Sequence, residues 1–117
     1  MTQKAAQTPI KGDVILKTAT HGEPADMFLL VLSPAEYNER TGSLITLFAS
    51  AQEAHASNPF AIPLGNTFAA PKEMYALGNY PITTRWDEGS VQILGQASEE
   101  AVSNACETLN QIIEISS

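Results

Sequence analysis

The stretch LVLSPAEYNERTG (30–42) carries the clearest structural signals in this sequence. It overlaps the continuous apolar run MFLLVLS (27–33), which has turn-forming residues on both sides and is typical of a central strand covered on both faces. Pro34 ends that run, and the polar connection PAEYNERTG (34–42) has room for one helical turn. A second apolar strand, SLITLFA (43–49), follows. The sequence therefore predicts two neighbouring strands that can pair in antiparallel fashion across a nine-residue connection.

Short apolar segments bounded by turn residues continue on both sides of this pair, which predicts further strands. Gly78-Asn79 separates two of them, and Pro63 places another at a sheet edge or a bulge. The predicted strands are GDVILKT (12–18), FAIPL (60–64), MYAL (74–77), YPITTRW (80–86) and SVQIL (90–94).

The C-terminal segment has helical rather than strand periodicity. Ser98 is a suitable N-cap, and Glu99 and Glu100 follow in the first turn, where the helix dipole favours acids. Apolar residues then recur at spacings of three and four, which predicts an amphipathic helix over 98–115. We expect Val102, Leu109 and Ile113 to pack this helix on the sheet. The outline is an α+β, β-rich fold: a small SH3-like twisted β-barrel or sheet with a C-terminal amphipathic helix.

Length and composition limit the organisation of the chain. Its 117 residues fit one domain over 11–117, preceded by a polar, flexible arm over 1–10. The net charge of −7 repels nucleic acids at long range, although it leaves room for a small basic groove. No apolar run is long enough to span a membrane, and a single cysteine, Cys106, favours a reducing compartment. We therefore expect a cytoplasmic protein with no membrane association.

The residue inventory excludes several kinds of functional site. One cysteine and two histidines cannot supply a usual four-ligand zinc site, and the seven glycines form no phosphate-binding motif. We therefore expect no metal and no cofactor. His21, in a loop beside Glu23 and Asp26, could act as a general acid or base, although a solvated loop histidine is the simpler interpretation. Trp86 could stack a base, although a core position is again simpler.

The block 30–42 also resembles a known family. A buried strand ending in VLSP, an aromatic–Asn pair and a TG before a second buried strand are similar to the MazF/PemK/Kid toxins of type II toxin–antitoxin modules. These toxins share a fold with the gyrase poison CcdB. GDVIL (12–16), FAIPL (60–64) and the helix 98–115 fit the same pattern, so the likeness covers most of 11–115. It implies a homodimer, an antitoxin partner and a metal-independent endoribonuclease that cuts single-stranded RNA.

The family's functional residues carry over only in part. Its hydroxyl at the end of the third strand falls on Ser50, and its loop histidine falls on His21. Its active arginine falls on Met27, its proton-carrying acid falls near Asn79, and its basic turn becomes the acidic stretch 86–89, which starts at Trp86. The substrate-binding positions Met27, Asn79 and Trp86 are therefore substituted. His21, Ser50 and Arg85, a candidate replacement cation, remain as candidate catalytic residues.

Three functional hypotheses remain open at this point. The first is a toxin-type endoribonuclease with altered catalytic residues, whose cleavage is weak or absent. The second is a non-enzymatic homologue that acts by binding a protein, as CcdB does, or that only binds a partner. The third is an ordinary β-barrel interaction domain that is similar to the family by chance.

Overall fold

The computed structural model describes residues 7–18, 26–51, 57–65, 73–87 and 91–115. Six antiparallel strands form one sheet in the order β4-β5-β3-β2-β1-β6, which curls into a half-barrel and carries two helices. This architecture confirms the predicted α+β, β-rich class. In chain order the elements are β1 (Asp13–Lys17), β2 (Met27–Val31), α1 (Ala35–Thr41), β3 (Ser43–Ser50), β4 (Ala61–Gly65), β5 (Met74–Arg85), β6 (Val91–Gln96) and α2 (Glu99–Ile115).

The apolar run around residue 30 forms the middle of the sheet. Strand β2 lies between β1 and β3, and it pairs with β3 in antiparallel register from Phe28 opposite Ala49 to Val31 opposite Thr46. Leu29 and Leu30 are both fully buried although they point to opposite faces. The structure thus confirms the predicted central strand and its antiparallel partner.

Each face of the sheet has its own hydrophobic core. The helix-side core packs under α2, and the opposite core lies on the other face. A buried leucine or isoleucine contributes roughly 1.5–3 kcal/mol, so both cores stabilise the fold substantially. The helix-side core includes Val14, Leu30, Leu47, Ala49, Met74, Ala76, Ala101 and Ala105; the opposite core contains Ile15, Leu29, Val31 and Leu44.

Helix α2 begins at its predicted cap, but its packing face differs from the expectation. The backbone N–H of Ala101 donates to Ser98 Oγ at 3.1 Å. Ala101 and Ala105 are the buried residues of the helix. Ile113 is 57% exposed, so the expectation that it packs on the sheet is wrong. The helix instead contacts the sheet near its start and middle, through its small alanines and Thr108. The β5 backbone approaches Thr108 so closely at Gly78 that a Cβ there would lie 2.6 Å from Thr108 Cγ2.

Strand β5 is continuous, so the prediction of two strands separated by Gly78-Asn79 is wrong. The pairing with β3 shifts between Leu47 and Ala49, which accommodates the extra residues of β5 as a bulge. The N–H of Gly78 donates to the carbonyl of Phe60 at 2.9 Å. This bond to a residue far along the chain keeps the strand intact where local sequence suggests a break.

The block 33–42 builds a hydrogen-bonded hub at one end of the sheet, and α1 is longer than the single turn expected. Asn38 is fully buried, and its Nδ2 donates to the carbonyls of Pro9 at 2.7 Å and Ser33 at 3.1 Å. Its Oδ1 accepts from Ser33 Oγ, and its backbone carbonyl accepts from the indole N–H of Trp86 at 2.8 Å. The most distinctive motif of the sequence therefore joins the segment before β1, helix α1 and the end of β5.

Gly42 closes this block for a conformational reason. It caps α1 with φ of 71°, in the left-handed region that glycine tolerates best, and its N–H donates to the Asn38 carbonyl at 2.9 Å. A Cβ at this position would also collide with the side chains of Asp87 and Arg85. A larger residue here would disturb both the helix end and that ion pair.

Candidate functional site

Four side chains form a line across neighbouring strands at one end of the sheet. Lys17 pairs with Met27, and Ser50 pairs with Tyr75. Because Phe28 pairs with Ala49, Met27 and Ser50 are the next residues along β2 and β3. Cross-strand neighbours of this kind share one face and have Cβ atoms about 5 Å apart. We call Lys17, Met27, Ser50 and Tyr75 the Ser50 row.

The centre of the Ser50 row places a hydroxyl beside an uncharged thioether. Ser50 is 6% exposed at the end of β3, and Met27 is half-buried at the start of β2. The hydroxyl can donate one hydrogen bond to a charged ligand, whereas methionine offers only a weak acceptor. The row therefore brings together the positions onto which the resemblance carries the family's hydroxyl, Ser50, and its active arginine, Met27. Position 27 does not supply the cation that the resemblance implies.

Sequence reasoning missed two residues of this row, Lys17 and Tyr75, and Lys17 is the charged one. It is 4% exposed and lies two strands from Ser50, which corresponds to about 10 Å between their Cα atoms. Lysines this buried are almost always paired with another group, so Lys17 also has a structural role. It is the one basic residue of β1 and lies on the same side as Ile15, and this alternation with an apolar residue is the sequence signal that could have identified it.

Arg85 and Trp86 lie at the other end of the sheet. Arg85 pairs with Ser43, which is seven residues from Ser50 and therefore about 23 Å away along β3. Its guanidinium is bound to Asp87, with Nη2–Oδ2 at 2.8 Å and Nε–Oδ1 at 3.1 Å. Trp86 packs against the opposite core and bonds to Asn38. The structure does not bring either residue to Ser50 within one protomer.

Of the two remaining candidates, Asn79 and His21, only Asn79 lies among the described residues. Asn79 is exposed on the β5 bulge, where its Oδ1 accepts a hydrogen bond from Asn58 Nδ2 at 3.3 Å. An amide at this position can bind but cannot exchange protons near neutral pH. His21 lies outside the described residues, in the sequence between Lys17 and Met27.

Charge and metal-binding capacity are limited in the part of the chain that the structure describes. Within it, no group of three or more histidine, cysteine, aspartate or glutamate side chains could hold a metal ion. Arg40 forms an exposed ion pair with Glu36 at 3.4 Å, as Arg85 does with Asp87. None of the helices described is long and apolar enough to cross a membrane. The described surface therefore offers little positive charge outside these pairs.

Comparison of whole folds finds the same architecture in solved structures. No protein-family model and no curated protein matches this sequence. MazF from Deinococcus radiodurans aligns with a TM-score of 0.77 and 19% identity, covering 93% of this chain and 99% of that chain. The MazE-MazF structure from the same organism (Form-II) aligns with a TM-score of 0.78 and 20% identity, covering 92% and 97%.

A structure from a second organism has the same fold. An endoribonuclease in complex with its cognate antitoxin, from a mycobacterial species, aligns with a TM-score of 0.69 and 16% identity, covering 93% of this chain and 96% of that chain. The agreement extends over nearly the full length of both chains, including the curled sheet and both helices. The chain therefore has the fold of MazF.

Proposed function

We propose that the protein is a cytoplasmic, toxin-type component of a toxin–antitoxin module, from the MazF endoribonuclease lineage, with weak or absent RNA cleavage. The MazF fold over 93% of the chain supports the lineage. The D. radiodurans MazF was also solved with MazE, which supports an antitoxin protein as the partner here. The observation that carries the weak activity is Met27 beside Ser50, at the centre of the row.

The proposed reaction needs a stabilised negative charge. In metal-independent RNA cleavage, the 2′-oxygen attacks the adjacent phosphorus while a base takes its proton. The bond from phosphorus to the 5′-oxygen breaks, and an acid protonates that oxygen. Ser50 can donate to the phosphoryl oxygens, but Met27 cannot, and Asn79 cannot supply the proton. Losing one such donor typically lowers the rate about 10²–10³-fold.

Residual activity would depend on three groups: two side chains of the Ser50 row, and His21. Ser50 provides a hydrogen-bond donor, and Lys17 places a positive charge two strands away. His21 is the remaining side chain with a proton affinity suited to base catalysis near neutral pH. Arg85 has no part in this arrangement within a protomer, because it lies at the far end of β3.

A metal-free time course tests the proposed function. We expect a long unstructured RNA, incubated with EDTA, to be cut at least about 100-fold more slowly than by D. radiodurans MazF at equal concentration. Ser50→Ala should reduce any residual cleavage further, and the matching DNA strand should stay intact because it lacks the 2′-hydroxyl. Equal rates for the two proteins would contradict the proposal.

We also expect a homodimer with a two-fold interface, as the family resemblance implies. Large apolar side chains are exposed at several places: Ile10 is 43%, Tyr37 is 37% and Ile113 is 57% exposed. Such surfaces on a small domain favour association. Sedimentation equilibrium at micromolar concentration should give twice the 12.5 kDa mass of the chain, whereas a single 12.5 kDa species would refute the dimer.

A further inference from the structure

A surface cavity lies between the two helices, at the end of β3 away from the Ser50 row. Its volume is about 400 Å³, which is within the range of sites that bind small molecules. Residues of α1, α2 and β3 line it, and the β3 residue is Ile45. Ile45 precedes Ser50 by five residues and therefore lies about 17 Å from it along the strand. We call this space the inter-helix cavity.

Most of the lining of the inter-helix cavity is apolar. Leu32 is buried in the helix-side core, and Leu109 packs against that core from α2. The ring of Tyr37 is 37% exposed. An apolar ligand placed here would extend the helix-side core and remove apolar surface from water. The apolar lining residues are Leu32, Pro34, Tyr37, Ile45 and Leu109.

Three polar groups that line the cavity can still donate a hydrogen bond. Lys11 is exposed and, among the residues that the structure describes, has no ion pair, whereas Arg40 and Arg85 are bound to carboxylates. The side-chain amide of Asn110 and the hydroxyl of Tyr37 likewise have no hydrogen-bond partner in the described part of the chain. Each of the three can donate to a ligand.

A neighbouring cavity shows why an anion would favour the inter-helix cavity. The neighbour, of about 480 Å³, is also lined by Lys11 and Cys106, but Glu99 lies in its wall. A negative ligand there would lie near a carboxylate of the same sign. None of the described residues that line the inter-helix cavity is acidic. The unpaired charge of Lys11 is therefore complementary to an anion in the inter-helix cavity.

We propose that the inter-helix cavity binds a small aromatic anion. The aromatic body would lie against Leu32 and Ile45 beside the ring of Tyr37, with which it can stack or pack edge to face. The negative group would lie at Lys11, where it accepts a charge-assisted hydrogen bond, with Asn110 as a second donor. The size of the cavity suits such a compact ligand. The site is remote from the Ser50 row, so this inference does not depend on RNA cleavage.

A fluorescence titration with anilinonaphthalene sulfonate tests the site. This probe combines an aromatic body with one negative charge, and its emission rises when it leaves water. We expect saturable binding of one probe per protomer. Lys11→Met keeps the apolar stem and removes the charge, so it should weaken binding about tenfold. Phenyl naphthylamine has the same rings without the sulfonate, and it should bind the wild type and Lys11→Met equally.

Two controls make this test specific. Arg40→Met changes the net charge by the same amount, but Arg40 does not line the cavity, so the affinity for the sulfonate should stay unchanged. Amide chemical shifts locate the probe, and we expect them to change in and around residues 11, 37, 45 and 110. Circular dichroism of each variant shows whether it is folded.

Competition then identifies the anion. Displacement of the probe by naphthoate indicates a carboxylate ligand, and displacement by naphthyl phosphate indicates a phosphate ester; either result supports the inference. Displacement by neither would overturn it, as would equal affinities of Lys11→Met and the wild type, equal weakening in Arg40→Met, or shifts at another place. A probe that binds only by dissociating a dimer would show that a second copy covers the cavity, and the inference would fail. Because no RNA is involved, the proposed function is tested separately.

Discussion

Replacing Asn38 with leucine should lower the free energy of unfolding by about 3 kcal/mol or more. The side chain is fully buried and bonds to Pro9 and to two atoms of Ser33. Leucine has a similar volume but leaves the Pro9 carbonyl and the Ser33 hydroxyl without this partner. Each buried polar group that loses its hydrogen bond costs about 1–3 kcal/mol. Urea unfolding followed by circular dichroism measures the change.

The neighbouring position provides the control for this substitution. Glu39 is exposed on the same helix, so Glu39→Leu should change the free energy of unfolding by less than about 0.5 kcal/mol. Equal urea midpoints for Asn38→Leu and the wild type would show that the hub does not hold the fold together.

Replacing Met27 with arginine should raise RNA cleavage about 10²-fold, because it places a charged donor beside Ser50. The guanidinium provides several donors for the phosphoryl oxygens, whose charge grows as the 2′-oxygen attacks. The metal-free time course measures the gain. If the wild type is inactive, the expected result is cleavage that first becomes detectable in the variant.

Two controls make this prediction specific. Met27→Leu adds neither a donor nor a charge, so its cleavage should remain close to that of the wild type. Arginine at position 27 would also lie beside Lys17, so a urea midpoint must show that the variant is folded. A folded Met27→Arg protein without any gain would mean that the missing cation is not the reason for weak activity.

Most of the fold could be predicted because its signals are local. The apolar runs around residues 30 and 46 and the cap at Ser98 each act within a few residues, and all three occur as expected. The errors depend on distant contacts. Strand β5 continues through Gly78 because Phe60 accepts its hydrogen bond, and Ile113 is exposed because the small residues of α2 pack earlier along the helix.

The candidate site was less predictable, because it depends on how strands pair. The sequence can place Ser50 at a strand end, but only the register shows that Met27 and Lys17 lie at the same end. The same register separates Arg85 from Ser50. Lys17 was missed because a lysine at the last position of a short strand is usually exposed, whereas here it is buried. The role of His21 stays a prediction.

The measurement that tests the central claim most directly is an amide chemical-shift map. The protein would be labelled with nitrogen-15 and titrated with a short single-stranded RNA that carries 2′-O-methyl groups at every position and therefore cannot be cut. We expect saturable shifts concentrated in and around residues 17, 27, 50 and 75, the Ser50 row. Shifts concentrated on α2 or on the Asn38 hub instead, or no saturable shift at all, would contradict it.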